Sequence, residues 1–222
     1  MARVSQEHLD ARRRQIIDGA RRVFTRRGFH ATSMQDILKE TGLSAGAVYR
    51  YFRGKDEIIA AVADGAFTAL REAFLSAVRD EPLRPLEDVL SGVIAMALEE
   101  EGPGGEQPAG PMAGQAFPQL VLQVWGEALG SEPLSEILHN GYKGMREAWG
   151  ELIGAYQEAG VLRSDVPADD IARALIAMCQ GLLAQHALFG NITSDVLRNG
   201  LRALLTADPA KLPTATEAAA TA

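Results

Sequence analysis

The chain has 222 residues, 47% of them hydrophobic, and a formal net charge of −7. That apolar content is ample for a buried core, yet no stretch approaches the roughly 20 uninterrupted apolar residues that span a bilayer. The single cysteine, Cys179, excludes an internal disulfide and suits a reducing cytoplasm. The opening residues, Met-Ala-Arg-Val-Ser-Gln-Glu, lack the apolar h-region of a secretory signal. Charge is unevenly spread: residues 1–60 carry 12 Lys and Arg against 7 Asp and Glu, and residues 61–222 carry 10 against 22. A basic head of net +5 on an acidic body of net −12 is the asymmetry expected when one end meets a polyanion.

Leu9, Arg13, Ile16, Ile17, Ala20, Val23 and Phe24 fall on one face of a long first helix, which Gly28 ends. Ser33 with Asp36, and Thr32 with Gln35, both fit a capping box for a second helix, on which Met34, Ile37, Leu38 and Thr41 recur at helical spacing. Gly42 stops that helix where a left-handed residue is needed, and Leu43 pins the turn into the core. Ser44 is placed to cap a short third helix over residues 45–53, ended by Gly54. Its Val48 and Phe52 turn inward, leaving Ala45, Gly46, Tyr49, Arg50 and Arg53 outward. Small residues beside one tyrosine and two arginines suit close approach to the major groove of DNA. Lys55 opens the next helix, beside Asp56 and Glu57. A cation there opposes the helix dipole by about 0.3–1 kcal/mol, unless it shares a phosphate with the helix amides. A solvated surface lysine is the alternative.

The remainder reads as helices punctuated by glycine and proline. Residues 55–79 form one helix, ended before Pro82 and Pro85, and residues 86–101 the next. Residues 102–114, rich in glycine and proline, form a loop that is either a surface insertion or a flap over a ligand entrance. Phe117, Leu120, Val121, Val124, Trp125 and Ala128 keep helical spacing up to Gly130. Ser131 caps a long helix whose inner face is Leu134, Ile137, Leu138, Gly141, Tyr142, Met145, Trp149, Leu152 and Tyr156, closed by Gly160. A helix over residues 167–189 follows, then a last one capped by Thr193 or Ser194 and running through Leu205. From Ala207 the Ala/Thr-rich sequence predicts a disordered tail. The fold class is therefore all-α with about nine helices: a three-helix helix-turn-helix head at 1–54, a helical body at 55–206, and a tail at 207–222.

The 167–189 helix is apolar on two faces and must be covered on both. Ile171, Leu175, Met178, Leu182 and Phe189 form one stripe; Ala174, Ala177, Gly181 and Ala184 form another, of small residues. The small stripe is expected to meet its twin across a two-fold axis, with Val196, Leu197, Leu201, Leu204 and Leu205 completing a four-helix interface between two copies. Phe117, Trp125, Tyr142, Met145, Trp149 and Met178 supply bulky apolar surface on three helices, and Gln123, Gln180 and His186 supply polar groups beside it. That combination is what a small-molecule site requires, although it also describes a plain core. No P-loop, GxSxG, HExxH or paired-cysteine pattern occurs, and the histidines at 8, 30, 139 and 186 lack ligand spacing. Neither catalysis, metal nor cofactor is expected. Cys179, within Ile176-Ala177-Met178-Cys179, reads as a buried small hydrophobe.

The runs Ala31-Thr32-Ser33-Met34-Gln35-Asp36-Ile37 and Gly42-Leu43-Ser44-Ala45-Gly46-Ala47-Val48-Tyr49-Arg50-Tyr51-Phe52-Arg53-Gly54-Lys55-Asp56-Glu57-Ile58 resemble the tetracycline-repressor (TetR) family of bacterial regulators. The motif match covers about residues 10–60. The resemblance implies a three-helix DNA-binding head and a variable helical body that dimerises and binds a small molecule. Residue by residue, it implies DNA contacts at Thr32, Ser33, Ser44, Ala45, Gly46, Ala47, Tyr49, Arg50, Tyr51 and Lys55. Tyr51, next to Phe52, serves either packing or a phosphate. Arg3, on the N-terminal arm, is placed to enter a minor groove if that arm orders. The expected partners are a double-stranded operator, a second copy of the chain and a small-molecule effector bound among Phe117, Trp125, Tyr142, Met145, Trp149, Met178 and His186, with no membrane. Repression is the commoner role in the family. The alternative is a DNA-binding regulator without a ligand, controlled by a protein partner or acting as an activator.

Overall fold

The computed structural model describes residues 6–80, 82–98 and 117–206. Within them lie nine helices and no strand: α1 (Gln6–Arg27), α2 (Met34–Thr41), α3 (Ala45–Tyr49), α4 (Lys55–Val78), α5 (Leu86–Leu98), α6 (Phe117–Ala128), α7 (Glu132–Glu158), α8 (Ala168–Phe189) and α9 (Ser194–Leu205). The predicted 102–114 loop, the tail from Ala207 and the arm bearing Arg3 lie outside the described residues.

The head is built from its caps. Ser33 Oγ accepts from the Asp36 amide while Asp36 accepts from the Ser33 amide, so the predicted capping box opens α2. Gly42, at φ 67°, ends α2 in the left-handed conformation and donates its amide to the Leu38 carbonyl at 3.0 Å. Ser44 Oγ accepts from the Ala47 amide and starts α3. That helix is shorter than the predicted 45–53. The Tyr51 and Phe52 amides still reach the Val48 carbonyl, but the Arg53 amide donates to Glu57 Oε2 at 2.8 Å instead. A side chain from the first turn of α4 thus takes the donor that would have extended α3.

Ile16, Ala20, Phe24, Phe29, Ile37, Val48 and Phe52 form the head core. Arg13, placed on the inward face from sequence, is exposed, with its guanidinium 5.4 Å from the centre of the Phe52 ring. The same core continues through Ile58, Ile59 and Val62 of α4 to Leu120 and Val124 of α6 and Leu134 and Leu138 of α7. Head and body therefore share one apolar core. A second core, around Phe74, Leu90, Trp149, Leu152, Ile153 and Tyr156, fills the body. The α4 and α7 helices pack along each other most extensively. Gly141 makes this possible, because a Cβ there would lie 2.2 Å from the Phe67 ring.

The last two helices differ from the sequence expectation. In α8, Ala172, Leu175, Ile176 and Leu182 are buried, whereas Met178 and Phe189 of the proposed inner stripe are exposed. Leu197 and Leu201 of α9, expected at an interface between copies, belong to the body core against α5. A 100° turn per residue explains both: on α9 Val196, Leu204 and Leu205 of the expected set remain outside. By length and mean hydropathy α8 is able to cross a membrane. It carries Asp169, Asp170 and Arg173 in its first turns, however, and packs against α6, α7 and α9.

Candidate nucleic-acid interface and internal cavity

One face of the head is open. Ser33, Ser44, Ala45, Gly46, Tyr49 and Arg50 are exposed, with Ala47 and Tyr51 half-buried at its edge. Tyr49 is 49% exposed although a tyrosine of the same helix could have packed on the core. Arg50 has no ion-pair partner among the described residues, so its guanidinium is available to an external anion. Three other arginines of the head are paired internally. Arg22 and Arg26 both pair with Glu40, and Arg27 pairs with Asp36 at 2.6 Å. Ser33 holds the Asp36 carboxyl below its ordinary pKa through side-chain and backbone hydrogen bonds, helped by Arg27; Arg22 and Arg26 do the same for Glu40. These pairs fasten α2 to α1 and fix the angle at which α3 is offered.

Two predicted DNA contacts take a different place. Thr32 is buried, and its hydroxyl donates to the Gly28 carbonyl at 2.6 Å, so it closes the α1–α2 turn rather than facing outward. Lys55 is half-buried with Nζ donating to the Phe29 carbonyl at 2.7 Å. It is neither a free surface lysine nor wholly committed, because an ammonium has two further donors. The Ser33 hydroxyl is engaged with Asp36, while the Ser44 hydroxyl proton is still free for an external acceptor.

The body holds a partly open cavity of about 120 Å³ between α4, α5, α6, α7 and α8. Of the predicted ligand residues, Phe117, Trp125, Tyr142, Met145 and Trp149 line it. Met178 does not, because it points away on the exposed side of α8. His186 does not either; its Nδ1 lies 2.7 Å from the Ile192 carbonyl oxygen and ties the end of α8 to the turn before α9. Sequence reasoning missed the walls given by α4 and α5, notably Phe67, Leu70, Phe74, Val93 and Ile94. Their apolar spacing carries no mark that separates a cavity wall from packed core. Cys179 also lines the cavity, and burial pushes its thiol up to about 12.

Between cavity and head stands α6. Its Phe117, Leu120, Val121, Val124 and Trp125 line the cavity. On another side Gln123 Oε1 accepts from the Phe29 amide at 3.1 Å, and Glu127 lies 3.2 Å from His30 Nε2. Both partners belong to the α1–α2 turn that Lys55 and Thr32 also hold.

Residues 16–62 match the profile of the bacterial regulatory proteins of the tetR family, and residues 106–208 match that of the BetI-type transcriptional repressor C-terminal region. The chain belongs to the TetR family. It is 28% identical over 199 residues to the HTH-type transcriptional regulator YfiR of Bacillus subtilis, covering 87% of this chain and 89% of that one. Its fold resembles that of Salmonella enterica GusR with a TM-score of 0.66 and 26% identity, over 93% of this chain and 100% of that one. A transcriptional regulator from Saccharomonospora viridis, crystallised with choline, shares the fold at a TM-score of 0.62 and 24% identity, over 87% of this chain and 94% of that one. As a TetR-family protein the chain is a DNA-binding transcriptional regulator, and the helix-turn-helix of its head is α2 and α3.

Proposed function

We propose that this chain is a ligand-responsive repressor that grips a palindromic operator as a homodimer and releases it when a small, largely apolar molecule occupies the α4–α8 cavity. The observation that carries this reading is the double duty of α6, one side against the cavity and another bonded to the head through Gln123 and Phe29. An occupant that displaces α6 changes where the α1–α2 turn sits, and with it the reach of α3. Moving the operator-bound population from 99% to 1% takes a differential affinity of about 5.5 kcal/mol between the two forms.

The dimer is supported by the outer side of α8 and α9. Ala174, Ala177, Met178, Val196 and Leu204 are exposed there, Gly181 and Ala184 are half-buried, and a Cβ added at Gly181 meets nothing within 4 Å. A monomer rarely leaves so much apolar helix surface in water. Two copies joined on this face would carry two α3 helices, and one short helix reads too few base pairs for useful specificity. The repressor role is drawn from the family profile matched by the body. The test measures operator affinity, at stated salt, with and without a molecule that calorimetry shows to bind the body. A fall of tenfold or more supports the reading, and unchanged affinity under saturation removes it.

A further inference from the structure

No charged side chain lines the cavity among the described residues. Two of its polar groups, on Tyr142 and Gln180, are hydrogen-bonded to each other. Tyr142 of α7 stands edge-on to Phe67, ring centres 5.1 Å apart. Gln180 of α8 donates an Nε2 hydrogen to the phenol oxygen at 2.7 Å, and Trp125 of α6 lines the same space. A phenol oxygen accepts two hydrogen bonds and donates one. Gln180 fills one accepting position of Tyr142, and the phenol proton has no acceptor among the described residues. Burial raises the pKa of Tyr142 above the ordinary tyrosine value, so that proton stays in place at neutral pH.

From this donor count we propose that the cavity takes an uncharged, apolar molecule of about one ring's size whose single acceptor oxygen, as in a ketone, ester or ether, receives the Tyr142 proton. The inference rests on the sensor reading above and names its ligand class. Size follows from volume: cavities of about 150 Å³ take up benzene, and this one measures about 120 Å³. Charge is selected against on both signs. A carboxylate would shed its hydration with no Lys, Arg or His beside it, and one neutral donor does not replace that loss. An ammonium would meet aromatic faces but no carboxylate among the described residues.

Calorimetry on the full chain with four matched probes tests the assignment: acetophenone, α-methylstyrene (its isostere without the oxygen), benzoate and phenyltrimethylammonium. Acetophenone is expected to bind, with each charged probe at least tenfold weaker. In Tyr142→Phe, which keeps the ring, acetophenone should weaken by about tenfold while α-methylstyrene changes less than twofold. Equal losses for both, tighter binding of either charged probe, or no binding of acetophenone overturns the proposal. The infrared carbonyl band of acetophenone on the wild-type chain gives a reading that does not depend on the variant's folding. A band shifted down from its position in an alkane agrees, and an unshifted band contradicts. Probes that bind in the expected pattern yet leave operator affinity unchanged keep the ligand class and remove the sensor function.

Discussion

We propose that DNA recognition turns on Tyr49 and Arg50, which stand exposed at the end of α3. Replacing either by alanine should cost about 1–3 kcal/mol of operator binding, roughly tenfold to a hundredfold, with circular dichroism and dimer mass unchanged. Thr32→Val makes a useful contrast. Its hydroxyl serves the Gly28 carbonyl, so the substitution should lower thermal stability first and DNA affinity only through a looser turn. Lys55 sits between these cases, anchored on Phe29 with two further ammonium donors. The acidic partners of the head make it sensitive to acid. Asp36 and Glu40 both have depressed pKa values in the fold, so their contribution is complete above the ordinary carboxylate range near pH 4. It is lost as the pH falls below that range and through the lowered values. A pH titration of the head's amide signals should therefore show the α1–α2 contacts steady from pH 7 to 5 and loosening only below about pH 4. In the body, Gly141→Ala forces a methyl into Phe67 and should cost about 1–3 kcal/mol in chemical denaturation.

Among the helices, α6 is the one proposed to carry the coupling. Gln123→Leu keeps the helix but removes the acceptor of the Phe29 amide, so ligand binding and operator binding should each survive while the ligand's effect on the operator shrinks severalfold. Anisotropy titrations with and without ligand check this, and full retention of the response would assign the coupling elsewhere. The role of Gln123 was not legible in the sequence. Its partner is 94 residues away, and from spacing alone it looked like a polar group beside the ligand. Local chemistry was far more readable. Ser33 with Asp36, Gly42, Ser44 and Pro167 each mark a helix end through bonds made within a few residues, and the helices fall where those marks put them. The end of α3 escaped because Glu57 of α4 takes the Arg53 amide, a choice made between two elements. The same limit applied to the cavity. Aromatic residues on α6 and α7 announced themselves, whereas Phe67 and Phe74 of α4 carry no sequence mark that separates a cavity wall from packed core.

For the whole molecule, burial decides what the charge pattern could only indicate. Leu197 and Leu201 were indistinguishable from Val196 and Leu204 as apolar residues of one helix, and only packing against α5 separates core from outer surface. Ala177→Asp with Gly181→Arg on the outer face of α8 should therefore give a folded monomer by sedimentation, with operator affinity reduced at least a hundredfold because one α3 reads half a site. The excess of basic residues in the head overstates the charge offered to DNA, since Arg22, Arg26 and Arg27 are paired internally. A modest salt slope follows. The most direct measurement is sequencing the genomic fragments retained at fixed salt by the full chain and by its Tyr49→Ala, Arg50→Ala double variant. The wild-type chain should enrich fragments sharing one inverted repeat, with half-sites a whole number of helical turns apart, and the variant should lose that enrichment. Retention of the same repeat by the variant, or no shared sequence at all, would contradict recognition through α3.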